Sequence, residues 1–177
     1  MNDQGRSGAL PGLTGQSGHA LLGIYLNDHL AAATVVTGRS RHFVSSCRDA
    51  ALADAVAPVA AQIAEDRRTL LALMRRLDVP VRRYKVYAGR LGERAGRLKS
   101  NGALLRRSVL STLLELELLQ VGIQGKICVW ETLLVLAGQD RRLDPRQLDD
   151  LMERARGQLR TIDDLRRRQA EETFTGP

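Results

Sequence analysis

The stretch LADAVAPVAAQIAEDRRTLLALMRRL (52–77) decides the fold. Leu52, Val56, Val59, Ile63, Leu70, Leu73 and Leu77 recur at steps of four and three residues, and Asp66 takes one step of the same series. That period puts them all on one face of an α-helix. A 4-3-4-3 seam is the spacing with which antiparallel helices pack in a bundle. Pro58 lacks a backbone N–H, so the spacing predicts a kink there and a regular helix from about Val59, within a segment running from about Asp49 to Leu77.

Upstream, a helix is expected from about Gly18 to Gly38, with Leu22, Tyr25, Leu26, His29, Ala32, Ala33 and Val36 on one face. The polar run GRSRHFVSSC (38–47) reads as the loop that follows it. Downstream, Pro80 opens a shorter helix to about Lys99, with Tyr84, Tyr87, Leu91 and Leu98 together and Gly89, Gly92 and Gly96 weakening it. Asn101-Gly102 signals a turn. The most hydrophobic helix spans about Val109 to Ala137, where Glu117, Gln120, Gln124 and Glu131 share a sector that should be its wet edge. Asp144-Pro145 is a cap followed by a first-turn proline. It starts a final helix to about Ala170 whose stripe is Leu148, Leu151, Met152, Ala155, Leu159, Ile162 and Leu165.

No strand-period segment interrupts this order. The expected fold is therefore all-α: an antiparallel four-helix bundle with an additional short helix, one domain over 18–172 between a disordered tail at 1–17 and a short tail at 173–177. The 177 residues suffice to bury one substantial core. With 3% aromatic residues, that core must be built from Leu, Ala, Val and Ile. Cys47 and Cys128 form no disulfide framework, and Cys128 reads as a small core residue. The most apolar run near the start, Gly18 to Gly38, is broken by Asn27, Asp28 and His29, and residues 1–16 lack the apolar run of a signal peptide. The expectation is a cytoplasmic protein with no membrane span.

Three polar residues stand where the stripes should be apolar: His29, Asp66 and Glu115, each on a different helix. A buried charge is costly unless it is paired or bound to something. Antiparallel packing of the first two helices brings His29 toward Asp66, with Tyr25 one turn away, and Glu115 could join them. One His with two carboxylates is a ligand set for a single transition-metal ion. The same residues can equally fix helix register as a satisfied network. Thr112 and Glu115 also have the spacing of a capping box. Lys126 shares a side with Glu115 but lies eleven residues away, roughly 16 Å along the axis, so each needs its own partner.

The long-short-long layout and the segments YLNDHLAAAT (25–34), IAEDRRTLLALMRRL (63–77), GRLKSNGALL (96–105) and LELELLQVGIQGKICVWETL (114–133) resemble an uncharacterised bacterial ferritin-like family. The resemblance implies a ferritin-like bundle with inward-pointing polar residues, and no biochemical role comes with it. Dinuclear iron members of that superfamily use Glu-x-x-His motifs. Here Gln16, Leu26 and Arg39 precede His19, His29 and His42 by three residues, so no di-iron centre is expected.

The charge is concentrated. Between Arg75 and Arg107, eleven basic residues face only Asp78 and Glu93, an excess larger than the +7 of the whole chain. Arg82, Arg83, Lys85, Arg90, Arg94 and Arg97 are its candidates for contact with phosphates of nucleic acid or another anion. The leading functional expectation is a non-enzymatic binding or scaffold module that self-associates or docks a protein partner. The alternatives are a metal or redox protein using His29, Asp66 and Glu115, and a nucleic-acid binder using the basic segment. No phosphate-cradling glycine loop and no zinc-type Cys/His spacing accompanies either.

Overall fold

The computed structural model describes residues 17–82 and 109–175. Among them are four helices and no strand: α1 (Gly18–Ser46), α2 (Ala50–Arg76), α3 (Val109–Ala137) and α4 (Pro145–Thr175). Of the short helix expected over 80–99, Pro80, Val81 and Arg82 are described and are not helical, and residues 83–99 lie outside the described residues, as do residues 1–16 of the expected tail.

Three of the helix starts have a local cause. Ser17 accepts from the Ala20 N–H at the head of α1, and Asp49 accepts from the Leu52 N–H at the head of α2. Asp144 accepts from the Arg146 N–H, with Pro145 as the first helical residue of α4. At the end of α2, Asp78 adopts φ 55° while its N–H bonds Arg75 O and the Val79 N–H bonds Met74 O. This is a Schellman closure, with buried Val79 supplying its apolar contact.

Three boundaries differ from the sequence reading. Helix α2 runs unbroken from Ala50 through Pro58, which is exposed, so the lost N–H faces solvent rather than the core. The expected loop 38–47 is helical as far as Ser46 because Ser40 and Phe43 are buried in the core. Ser40 donates to Thr37 O, which satisfies its hydroxyl inside the helix. Helix α4 continues to Thr175 rather than stopping near residue 170.

The cross-links give the topology. Thr34 of α1 meets Arg67 of α2, Arg39 of α1 meets Glu115 of α3, and Tyr25 meets Thr132. Gln120 of α3 meets Asp163 of α4, while Gln62 of α2 meets Gln158 and Arg76 meets Gln147. Every adjacent pair is therefore antiparallel, and α1 and α4 run one way while α2 and α3 run the other. The α1/α2 and α3/α4 hairpins are the most extensively packed pairs, α1 packs on α3, and α2 meets α4 more lightly. Arg142 ties two chain reversals together through Asp78 and Asp140. Asn27, buried at 1% exposure, donates to Pro80 O and accepts from the Arg82 N–H, which pins the segment after α2 to α1.

The core is a single aliphatic cluster around Leu26, Leu30, Val56, Leu73, Leu116, Ile123, Leu133, Leu148 and Ile162, closed by Phe43 and Trp130. The stripe read for α2 is the buried one, and that of α4 is buried at Leu148, Leu151, Met152, Ala155 and Ile162, with Leu159 and Leu165 partly buried. The inner face of α1 is rotated from the expected one and includes Asn27, Thr34, Thr37 and Ser40. Its threonine hydroxyls bond back to Leu30 O and Ala33 O, so burial leaves them satisfied. On α3 the exposed side is wider than the expected wet edge: Gln124 and Glu131 are exposed and Glu117 and Gln120 partly so, but apolar residues join them. Leu114, Val121 and Val135 are its most exposed apolar residues, and Cys128 is exposed rather than in the core.

The expectation of no membrane span is overturned. Two helices, Gly18–Ser46 and Leu110–Ala137, are long and apolar enough to cross a membrane by length and composition, and their apolar windows are only 28% and 33% buried. Asn27, Asp28 and His29 dilute the first window without removing its apolar character, and α1 extends beyond the run first read.

Candidate functional site

Asp66 sits at the centre of a buried polar network that joins three helices. Its side chain is 1% exposed, and both oxygens are engaged. The Lys126 ammonium of α3 donates to Oδ2 at 2.5 Å, and the Gln158 amide of α4 donates to the same oxygen at 3.1 Å. The Arg154 guanidinium of α4 pairs with Oδ1. Lys126 also donates to Gln158 Oε1, and Gln158 donates to Gln62 Oε1 at 3.0 Å. Arg154 reaches outward to exposed Glu65 at 3.4 Å. Burial pushes the Lys126 ammonium below its ordinary pKa and the Arg154 charge adds to that, while the Asp66 carboxylate acts in the opposite sense.

The other two members of the expected trio lie elsewhere. Glu115 pairs with Arg39 at 3.0 Å, near the opposite end of α1 from Tyr25, so it is neither a cap at the start of α3 nor a neighbour of Asp66. His29 is half-buried and stacks edge-on against Tyr25 with ring centroids 4.5 Å apart. Burial lowers the His29 pKa, and Asp28 offsets part of that. The expected His29, Asp66 and Glu115 constellation therefore does not converge. Among the described residues no three His, Cys, Asp or Glu side chains group to hold a metal ion. Each carboxylate has found a cation instead, which compensates a buried charge without an ion.

What His29 and Asp66 do share is a groove. A partly open cavity of about 410 Å³ lies between α1 and α3 with α2 beneath it. Ala32, Ala33, Val36, Leu118, Val121 and Ile123 form much of its wall, while His29, Asp66, Arg67, Lys126 and Trp130 contribute its polar groups. Two glycines on the α3 wall behave oppositely. A Cβ on Gly122 would stand 2.8 Å from Val36 Cγ1 and closer still to Cγ2, so this glycine is what lets α1 and α3 approach. A Cβ on Gly125 would meet nothing within 4 Å, because that side faces open space. Trp130 is 1% exposed, yet its indole N–H has no acceptor among the described residues. Leaving such a donor unsatisfied costs about 1–3 kcal/mol.

Sequence reasoning missed Arg154 and Gln158. Gln158 carried a signal, since it falls in the α4 stripe between Ala155 and Ile162 where an apolar residue was due. Of the basic candidates, Arg82 is described and exposed; Arg83, Lys85, Arg90, Arg94 and Arg97 lie outside the described residues. A second, polar cleft of about 380 Å³ between α1 and α2 is lined by Thr34, Thr37, Arg41, Arg67 and Arg68. No family model, curated protein or solved structure matches the chain.

Proposed function

We propose that the chain is a non-enzymatic binding module built on a ferritin-like bundle, and that the α1/α3 groove is where it binds. The groove carries this reading: its volume of about 410 Å³ falls within the ~300–1,000 Å³ typical of small-molecule pockets. An apolar wall with a few convergent polar groups is the usual make-up of such a site. Helix directions support the bundle type. With α2 and α3 parallel across the diagonal, Arg82 and Val109 stand toward opposite ends, as in ferritin-like folds with one long crossover.

The groove also explains an otherwise wasteful glycine. Gly in a helix interior costs about 1 kcal/mol relative to Ala, and Gly125 has no packing neighbour that demands it. Its missing side chain keeps the α3 wall open.

The test is saturable binding of the neutral apolar fluorophore N-phenyl-1-naphthylamine, read by its emission. Gly125→Leu should weaken that binding at least tenfold by filling the groove while raising stability by about 0.5–1 kcal/mol through helix propensity. Unchanged probe binding in a folded Gly125→Leu protein would sink the proposal.

A further inference from the structure

The polar lining of the groove is rich in donors. Lys126 has three N–H donors, of which two are used, by Asp66 Oδ2 and Gln158 Oε1. The Trp130 N–H has no acceptor among the described residues. Both oxygens of Asp66, the one carboxylate in the lining, are already engaged by Lys126, Gln158 and Arg154. The lining thus offers spare donors, while its carboxylate is fully occupied.

Position reinforces the count. Lys126 and Trp130 are four residues apart on α3, so their side chains rise from the same helix face, about 5–6 Å apart at Cβ. Charge points the same way. One buried carboxylate, Asp66, faces two cations, Lys126 and Arg154, and Glu65 balances Arg154 only from the exposed side. Arg67 adds a further cation and His29 an imidazole to the lining, and the rest of the wall is apolar.

Resting on the binding function proposed above, we infer that the groove takes an apolar monocarboxylate, a fatty-acid-like chain whose carboxylate accepts from Lys126 and Trp130. The aliphatic wall from Ala32 to Val36 and from Leu118 to Val129 holds the chain. An acceptor without charge would satisfy the donors but leave the cation excess uncompensated. A doubly charged head group would face Asp66 with more repulsion than a single carboxylate does.

The experiment displaces N-phenyl-1-naphthylamine with decanoate and, separately, with 1-decanol, both below the concentrations at which they aggregate. Wild-type protein should prefer decanoate at least tenfold. Trp130→Phe and Lys126→Met should each cut that preference to less than threefold while retaining the neutral probe, with folding checked by circular dichroism. Equal displacement by decanol, or a preference unchanged in Trp130→Phe, overturns the carboxylate assignment and leaves the groove standing. Wild-type protein that does not bind the neutral probe overturns both. Should Lys126→Met fail to fold, Trp130→Phe decides alone.

Discussion

Helices α3 and α4 are neighbours of nearly equal length, 29 and 31 residues, yet they divide their side chains in opposite ways. Helix α4 segregates: Leu148, Leu151, Met152, Ala155 and Ile162 are buried, and arginines and aspartates fill the rest of its circumference. Helix α3 is apolar on both sides, burying Leu116, Ile123 and Leu133 while exposing Leu114, Val121 and Val135. An amphipathic helix needs only one packed face. A helix apolar all round has surface left over after the bundle is complete, and on α3 part of that surplus lines the groove.

The comparison breaks most sharply where the two helices meet α2. Asp66→Ala should cost about 3–5 kcal/mol in urea unfolding, because it leaves Lys126 of α3 buried without its carboxylate and beside Arg154 of α4. On α4, Leu148→Ala empties a fully buried position and should cost about 2–5 kcal/mol. On α3, Gly122→Ala forces a methyl into Val36 and should cost about 1–3 kcal/mol by the same measurement. Val121→Gln, on a side chain 69% exposed, should shift stability by no more than about 0.5 kcal/mol. A large loss from Val121→Gln would mean that the outer face of α3 is packed after all, and would erase the contrast.

The same contrast explains how much the sequence could tell. Helices α2 and α4 were readable because a polar side forces one orientation: all eight positions of the 52–77 seam, Asp66 included, are buried. Helix α3 has weak directional information: its polar residues marked part of the exposed side, Gln124 and Glu131, but not the exposed apolar part at Leu114, Val121 and Val135. On α1 the misleading residues were Thr34, Thr37 and Ser40. They look like surface residues, but their hydroxyls bond to carbonyls of their own helix and enter the core. At the site, Asp66 was legible as a polar residue in an apolar seam and Lys126 as a cation in need of a partner, whereas their pairing was not. Lys126 and Arg154 are long side chains whose reach across the bundle depends on tertiary geometry rather than on spacing.

The parallel run of α2 and α3 has a consequence for how the molecule assembles. Each hairpin, α1/α2 and α3/α4, closes through contacts near in sequence, whereas the pairs Arg39–Glu115, Lys126–Asp66 and Arg154–Asp66 join residues 60 to 88 positions apart. Low-contact-order units form fast and distant pairings form late. Two quick hairpins and one slow docking step are therefore expected, with the Asp66 pairs to Lys126 and Arg154 made in that last step. Two fragments parted between Arg82 and Val109 would each retain a hairpin, and mixing them would isolate the docking event as a concentration-dependent reaction.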